Sequence, residues 1–253
     1  MANNPNTNST EIISQIPVQY AHVDESYEHK LEDGLLGVAI DPDYDNNNWV
    51  YLYYSPVGDE PKQYLSRFLV DNDSLHISSE KVMLEVPVQR DECCHSGGSL
   101  EFGPDGNLFI SIGDNTNPFN SDGFAPIDER PSRSAWDARR SSSNTNDLRG
   151  KILRIRPEDD GSYTIPEGNL FFPGRSDTRP EIYVMGCRNP FRISIDPVSK
   201  FVYWGEIGPD SREDQVGRGP MGYDEINQAR TAGYFGWPLF VANNKPYNRF
   251  TFE

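Results

Sequence analysis

The sequence predicts an all-β fold, and two observations carry that prediction. Helices have little room, because 21 Gly and 20 Pro interrupt the chain so often that few windows of about 11 residues keep an apolar period of 3.6. Short runs of β-branched and aromatic residues, by contrast, recur between turn residues. The 253 residues, 36% of them hydrophobic, provide enough apolar material for one globular unit or two small ones.

Six strands are predicted in chain order from these runs. Each run is bounded by residues that favour turns. The runs are WVYLYY at 49–54, YLSRFLV at 64–70, NLFISIG at 107–113, KILRIR at 151–156, EIYVMG at 181–186 and FVYWGEI at 201–207.

A hairpin-like unit occurs three times. Each copy is an apolar alternation, a turn with a proline, and a second strand that ends in a Gly- or Pro-rich tip. The intervals between the turn prolines Pro42, Pro104 and Pro197 are unequal and exceed the roughly 40–50 residues of compact propeller repeats. The repeat alone therefore leaves a propeller and another all-β fold open. The copies are LGVAIDPDYDNNNWVYLYYS, LEFGPDGNLFISIGD and ISIDPVSKFVYWGEIGP.

The polar stretch 115–149 is predicted to be a long loop between two strands. Loops of this length in a compact domain are usually functional or disordered. An ordered loop over a neighbouring face and a solvated insertion are the two alternatives. The arginines that favour order, interspersed with Asp and Ser, are Arg130, Arg133, Arg139, Arg140 and Arg149.

Composition excludes several functional classes. Lys+Arg total 23 against 39 Asp+Glu, and the net charge of −16 would repel a nucleic-acid backbone, so no nucleic-acid partner is expected. The excess of carboxylates suits a hard cation such as calcium. No apolar run approaches the roughly 20 residues that span a bilayer, so no membrane span is expected. Three cysteines allow at most one bridge and do not make a paired zinc site.

The stretch DECCHSGGSLEFGPD places His95 at the tip where a strand begins. Binding sites form at strand tips and in the loops that join them. The tight GPDGN turn would return Asp114 to the same edge, within hydrogen-bond reach of His95. A histidine oriented in this way can act as a general base, and a purely structural histidine is the alternative.

Two further motifs are candidates for ligand binding. In MGCRNPFR, Arg188 and Asn189 offer a forked cationic donor and an amide, which suit a polar planar ligand. An ordinary turn before Pro190 explains the same residues. In GEIGPDSREDQVGRGPMGYDEIN, the carbonyl groups of Gly208 and Pro209 lie near several carboxylates. Calcium uses both kinds of oxygen, so this loop is a candidate calcium site, although it lacks EF-hand spacing.

Five motifs in order, from about residue 32 to 238, resemble the soluble quinoprotein glucose/sorbosone dehydrogenase family. The resemblance implies a six-bladed β-propeller with pyrroloquinoline quinone (PQQ) and calcium at the mouth of the central channel. It also implies a dehydrogenase that oxidises a sugar or related polyol and uses an external electron acceptor. The motifs are EDGLLGVAIDPDYDNNNWVYLYY, HSGGSLEFGPDGNLFISIGD, LRGKILRI, GCRNPFRISIDP, and IGPD followed by YDEINQARTAGYFGWP.

The resemblance implies roles for individual residues. His95 looks like the family's general base, Asp114 like its supporting carboxylate, and Arg188 like the group that stabilises negative charge on the quinone oxygen. Arg188, Asn189 and Glu32 form the implied cofactor-binding set. The implied metal ligands are the carbonyl groups of Gly208 and Pro209 for the cofactor's calcium, with Asp224, Glu225 and Tyr234 in a further calcium region.

Three positions depart from the family pattern. Cys94 stands where the glucose enzymes carry an Asp, Glu32 where they carry a Gln, and Cys187 where they carry a His. Because Cys94 and Cys187 would both approach the site, a bridge between Cys187 and one of the paired cysteines is expected, and a vicinal Cys93–Cys94 bridge is the alternative. The departures leave the sugar open. They also leave open a propeller that lost the quinone but binds calcium and a carbohydrate or protein.

The resemblance sets the expected extent of the domain. Residues 1–30 are expected to form an N-terminal segment with a partial blade, and residues 31–253 an incomplete propeller of about four blades with a loop insertion at about 115–149. Family members are considerably longer, so the chain resembles a fragment that would be inactive alone, with the activity in the parent protein. The parent is expected in the periplasm or outside the cell, although the start of this chain lacks the pattern of a secretory signal.

Overall fold

The computed structural model of the protein describes residues 2–4, 9–20 and 32–249, and regular structure in this part is nearly all β, as predicted. All six predicted strands form. Helical pieces in the described part are short: α1 (Tyr44–Asn47) and two 3-10 turns, Ser134–Trp136 and Ala138–Arg140. The strands are β1 (Ala2–Asn4), β2 (Ser9–Glu11), β3 (Leu35–Ile40), β4 (Trp49–Tyr54), β5 (Lys62–Asp71), β6 (Ser74–Pro87), β7 (Gly97–Phe102), β8 (Leu108–Ile112), β9 (Lys151–Pro157), β10 (Tyr163–Thr164), β11 (Ile182–Met185), β12 (Pro190–Ile195), β13 (Val202–Glu206), β14 (Glu225–Ala229), β15 (Gly233–Tyr234), β16 (Phe240–Val241) and β17 (Lys245–Pro246).

Each copy of the repeated hairpin unit opens one of the larger sheets in the described part. The first sheet has the antiparallel order β3-β4-β5-β6. The second has the order β7-β8-β9-β11-β15, with β10 also paired to β9 and β15 parallel to β11. The third has the order β12-β13-β14, and the pairs β1-β2 and β16-β17 form separate two-stranded sheets. The hairpins β3-β4, β7-β8 and β12-β13 are therefore the repeat that the sequence shows.

The opening strands of the three larger sheets lie side by side, with β7 between β3 and β12. The approach of β3 to β7 is close, because a Cβ on Gly37 would lie 1.9 Å from the carbonyl oxygen of Gly98. Gly98 also has φ +101°, a conformation that side chains disfavour. On the other side of β7, the Ile193 N–H donates to Ser99 Oγ (3.3 Å). Neighbouring sheets thus contact each other through their first strands, as blades of a propeller do.

The core lies between the sheets, and the alternation along β8 decides which cluster each side chain joins. Leu108, Ile110 and Ile112 pack against side chains of the first sheet. Phe109, on the opposite face, packs in a second cluster with Trp204 of the third sheet. Because β8 packs against a cluster on each of its faces, all of its residues are buried. The strand therefore does not alternate between an apolar and a solvated face.

Residues 115–149 form an ordered loop, which decides between the two alternatives for this stretch. Its apolar side chains Ile127, Ala138 and Leu148 are buried. An ion pair between Arg130 Nη2 and Asp128 Oδ2 (2.7 Å) lies within the loop. The loop leaves β8 and returns at the paired start of β9, so both of its ends lie at the same edge of the second sheet.

Part of the predicted N-terminal segment 1–30 is described. Residues 2–4 and 9–20 contain the β1-β2 hairpin, whereas residues 21–30 lie outside the described part. The division into an N-terminal segment and an incomplete propeller stays a prediction. Among helices in the described ranges, none has the length and apolar character needed to cross a membrane.

Candidate active site

The predicted catalytic residues come together at one edge of the second and third sheets. Antiparallel pairing of β7 with β8 brings the segment before β7 next to the segment after β8. The pairing of β12 with β13 does the same for the segments around 189 and 207. A hydrogen bond from the Asp114 N–H to the Arg188 carbonyl oxygen (2.7 Å) joins the two edges. His95, Asp114 and Arg188 therefore belong to one site.

The imidazole of His95 is held by a buried carboxylate. His95 Nδ1 lies 2.7 Å from Asp114 Oδ1, and both residues are buried. Asp114 Oδ1 also accepts the Thr116 N–H (3.0 Å), and Asp114 Oδ2 accepts the indole N–H of Trp237 (2.8 Å). Because the carboxylate accepts all of these bonds, it favours the tautomer with the proton on Nδ1. Nε2 of His95 is then the nitrogen that can accept a proton.

The main chain of His95 is fixed as firmly as its ring. The residue has φ 60°, which is uncommon for a residue other than glycine. Glu32 Oε2 accepts the backbone N–H groups of His95 (2.7 Å) and Ser96 (3.2 Å). The His95 carbonyl oxygen accepts the Asn115 N–H (3.2 Å). Glu32 thus supports the histidine main chain, and its role in cofactor binding stays a prediction.

Arg188 and Asn189 are anchored by a carboxylate that the sequence did not single out. Glu206 Oε1 accepts the backbone N–H groups of Arg188 (2.8 Å) and Asn189 (2.5 Å), and its Oε2 accepts the Trp204 indole N–H (2.9 Å). The Arg188 guanidinium donates to the Ile207 carbonyl oxygen (3.0 Å). The Arg188 side chain lines the same cavity as His95. The buried Asn189 Oδ1 has no hydrogen-bond partner among the described residues.

Glu206 predicts a measurable pH dependence of stability. Burial raises the pKa of Glu206 to about 7, whereas an unfolded Glu titrates near about 4.3. Between these pH values the folded protein keeps a proton that the unfolded chain has lost. The contribution of Glu206 to the free energy of unfolding is therefore full below about pH 4.3 and falls as pH rises to about 7.

We expect Glu206→Gln to remove this dependence. Thermal unfolding of the full-length protein should be measured at pH 4 and pH 7.5. Between these pH values, the free energy of unfolding of wild type should fall by about 3 kcal/mol more than that of the variant. Glu167→Gln, at an exposed position, is the matched control and should behave like wild type. Equal pH dependence in wild type and Glu206→Gln would contradict the prediction.

The predicted metal ligands are only partly brought together. Gly208 donates its N–H to Asp224 Oδ1 (2.9 Å), and the Pro209 carbonyl oxygen accepts the Ser211 N–H (2.8 Å). Gly208, Pro209 and Glu225 line one small cavity. The hydroxyl group of Tyr234 instead lies 2.8 Å from Ser143 Oγ, and Tyr234 does not line that cavity. No cluster of three His, Cys, Asp or Glu side chains suited to a metal occurs in the described part, so the metal assignment rests on carbonyl groups. The ligands concerned are Gly208, Pro209, Asp224, Glu225 and Tyr234.

A narrow cavity is lined by the predicted catalytic residues and by two side chains that sequence reasoning missed. It is lined by His95, Asp114, Arg188 and Pro209, together with Trp237 and Arg218. Trp237 lies in the quoted motif YFGWP, but nothing in the sequence pairs its indole with Asp114. Arg218 lies in the loop between β13 and β14, where the sequence shows only a charged turn-rich stretch.

The expected bridge between Cys187 and a paired cysteine is wrong, and the vicinal alternative forms. Cys93 and Cys94 are disulfide-bonded to each other, whereas Cys187 is free and buried. The reason is packing. Cys187 lies in the apolar cluster with Val184 and Ile193 behind the Arg188 backbone. Burial also raises the pKa of the Cys187 thiol well above its usual value.

The cysteine pairing predicts a simple result in mass spectrometry. After alkylation under denaturing, non-reducing conditions, the peptide with Cys93 and Cys94 should be two hydrogens lighter than its dithiol form and unalkylated. The peptide with Cys187 should carry one alkyl group. Reduction before alkylation serves as the control and should add two alkyl groups to the first peptide. A cross-linked pair that contains Cys187 would contradict the structure.

Comparison with known proteins places this chain in a family. The sequence model of the family described as Glucose / Sorbosone dehydrogenase matches residues 9–251. The chain belongs to the glucose/sorbosone dehydrogenase family. Within that family, aldose sugar dehydrogenase YliI of Escherichia coli (strain K12) is 27% identical over 229 residues, which cover 90% of this chain and 50% of the relative. Quinoprotein glucose dehydrogenase B of Acinetobacter calcoaceticus is 28% identical over 243 residues, covering 93% of this chain and 45% of the relative.

The chain is also similar to a protein that is not named as a dehydrogenase and to solved structures. Hedgehog-interacting protein of Homo sapiens is 28% identical over 178 residues, covering 65% of this chain and 23% of the relative. The soluble aldose sugar dehydrogenase of Escherichia coli matches with a TM-score of 0.65 at 26% identity, over 94% of this chain and 56% of that chain. The PQQ-bound aldose sugar dehydrogenase of Streptomyces coelicolor matches with a TM-score of 0.58 at 25% identity, over 87% of this chain and 56% of that chain.

These findings confirm the predicted family and fold class. The solved neighbours are sugar-dehydrogenase β-propellers, so the all-β propeller prediction is confirmed. The chain spans about half the length of the curated dehydrogenase relatives that it matches, with 50% and 45% of their residues covered.

Proposed function

We propose that the full-length protein is a PQQ- and calcium-dependent dehydrogenase that oxidises a sugar or a related polyol. The observation that carries the proposal is the His95 and Asp114 pair, 2.7 Å apart, in one cavity with Arg188. Membership of the glucose/sorbosone dehydrogenase family and the similarity to a quinoprotein glucose dehydrogenase support it. A buried base, its orienting carboxylate and a fixed cation form a set that suits removal of a proton and a hydride from a carbinol.

His95, Asp114 and Arg188 have separate roles in the proposed reaction. His95 Nε2 takes the proton of the substrate hydroxyl group, and Asp114 keeps the ring oriented and stabilises the imidazolium that forms. The Arg188 guanidinium would stabilise the negative charge that develops on the quinone oxygen. A donor that is already fixed in place is effective there, because it does not have to reorient during the reaction. When bound, PQQ would supply the acceptor for the hydride of the carbinol carbon, and an external electron acceptor would reoxidise it.

The residues present fit a polar cofactor. Asn189 Oδ1 and Arg218 Nη1 are buried without hydrogen-bond partners among the described residues, and buried polar atoms normally have partners. Arg188, Asn189 and Glu32 would hold the quinone. The carbonyl groups of Gly208 and Pro209 would hold its calcium, because a carbonyl oxygen has two lone pairs and the Ser211 N–H uses one at Pro209.

The proposal includes a location in the periplasm or outside the cell. The Cys93–Cys94 disulfide supports it, because disulfides persist mainly in oxidising compartments. The net charge of −16 is compatible with a protein that meets small neutral substrates rather than nucleic acid.

A calcium-binding propeller without quinone, which binds a carbohydrate or a protein, is the second candidate. Two observations favour it. One relative is named Hedgehog-interacting protein, and the vicinal cysteines directly precede the histidine, where the family resemblance implies a carboxylate. The same fold supports both functions, so the site has to decide between them.

The deciding experiment is reconstitution of the full-length protein with PQQ and Ca²⁺, followed by redox-dye reduction over a panel of sugars and polyols. We expect dye reduction with at least one member of the panel, and its loss after calcium chelation. Failure to bind quinone at micromolar concentration, with calcium and sugar binding intact, would overturn the dehydrogenase and favour the binding propeller.

A further inference from the structure

Arg218 is a charged residue of the site whose binding partner the proposed function leaves unassigned. It lies in the loop between β13 and β14, and it lines the same cavity as His95 and Arg188. Its backbone is fixed, because its N–H donates to the Gln215 carbonyl oxygen (3.1 Å) and its own carbonyl oxygen accepts the Asn248 N–H (3.0 Å). The Nε bond to Ala125, which also lines the cavity, holds the side chain there.

The guanidinium of Arg218 is only partly satisfied. Nε donates to the Ala125 carbonyl oxygen (3.2 Å), and the group lies 5.8 Å from the centre of the Tyr247 ring. Nη1 is buried and has no hydrogen-bond partner in the part of the chain that the structure describes. A buried N–H on a charged group is costly to leave unpaired, so the site is suited to an incoming acceptor.

The surroundings of Arg218 favour an anionic acceptor. Arg188 brings a second guanidinium to the cavity, and its Nη2 reaches the exposed Asp210 only at 3.4 Å. The cavity's own carboxylate, Asp114, already accepts bonds from His95, Thr116 and Trp237. Arg188 is thus paired with Asp210, whereas Arg218 forms no ion pair with a carboxylate among the described residues.

The size of the cavity limits what can enter. Its free volume is about 10 Å³, close to the room that one water molecule needs. A sugar or quinone ring therefore stays outside, and one oxygen atom of a terminal group can take the place of a water molecule beside Arg218. A carboxylate suits this position, because its oxygen atoms accept strong N–H bonds from a guanidinium group.

We propose that Arg218, together with Arg188, binds a carboxylate group of the molecule that lies against His95. The carboxylate belongs either to the quinone, which carries three, or to an acidic sugar substrate. The inference deepens the proposed function, and its quinone branch rests on that function. Arg218 is in this view a binding residue that determines specificity, separate from proton transfer at His95.

The test measures equilibrium binding of three probes to the full-length protein: PQQ, D-glucuronate and, as the neutral match, D-glucose. Arg218→Gln should weaken binding of at least one carboxylate probe roughly tenfold or more, with glucose binding unchanged. Arg218→Lys keeps the charge but lacks the fork, so its loss should be intermediate. Arg212→Gln, at an exposed arginine of the same loop, is the matched control and should bind all probes as wild type does.

The outcomes separate this inference from the proposed function. A loss confined to PQQ assigns the carboxylate to the cofactor, and a loss confined to glucuronate assigns it to the substrate. The glucuronate result would stand even if the protein bound no quinone and the proposed function failed. Unchanged affinity for both carboxylate probes in the Arg218 variants, or a wild type that binds neither, would overturn the inference. Should Arg218→Gln fail to fold, Arg218→Lys provides the same comparison.

Discussion

His95→Ala is expected to lower the turnover number of the dehydrogenase reaction proposed for the full-length protein by about 10²–10⁴-fold, the usual contribution of a general base. Quinone affinity should change by no more than roughly twofold. Arg188 and Asn189, the predicted quinone-binding residues, are held by Glu206 and Ile207 and make none of these hydrogen bonds to the imidazole of His95. The measurement is steady-state dye reduction with a saturating sugar, combined with a quinone titration of each variant.

His76→Ala is the matched control for this substitution. His76 is an exposed histidine on β6 of the first sheet, so its removal should leave turnover and quinone affinity unchanged. Turnover of His95→Ala within about threefold of wild type would remove His95 from the role of base. A parallel loss of quinone binding would indicate a supporting role for the residue instead.

Asp114→Asn is expected to lower turnover by about 10²-fold or more while KM changes little. The carboxylate of Asp114 accepts from the His95 ring, the Thr116 N–H and the Trp237 indole. Asparagine has one acceptor oxygen and one donor nitrogen, so at least one of these bonds must be lost. If the amide nitrogen faces the ring, His95 has to accept at Nδ1, and Nε2 then carries the proton and cannot act as a base.

Asp105→Asn provides the control for this second substitution. Asp105 is exposed at the opposite end of the same β7-β8 hairpin, in the turn where its Oδ1 accepts the Asn107 N–H (3.4 Å). Its replacement should leave turnover unchanged. Because a buried hydrogen bond is worth about 1–3 kcal/mol when one partner is left unpaired, unfolding of Asp114→Asn should be followed in parallel. A variant that is destabilised but keeps its turnover would show that Asp114 serves only the fold.

The sequence determined the strands and the order of the hairpins, because both depend on local information. Alternation of apolar residues and turns with Gly and Pro acts over about ten residues, and all six strands predicted from it form. The proximity of His95 and Asp114 was predictable for the same reason: one tight hairpin separates them, and a two-strand turn fixes which residues share an edge.

Only the tertiary structure decided which residues from different sheets meet. Trp237 reaches Asp114 across 123 positions of sequence, and Glu206 holds the Arg188 backbone through the pairing of β12 with β13. The predicted bridge between Cys187 and one of the paired cysteines was wrong. The family resemblance suggested that Cys94 and Cys187 both approach the site, but packing places the Cys187 thiol in an apolar cluster behind the site. Arg218 is a charged residue among others in a turn-rich loop until the fold leaves its Nη1 buried and unpaired. Contacts of this kind depend on how sheets stack, and burial and hydrogen bonding are properties of that stacking rather than of any short stretch of sequence.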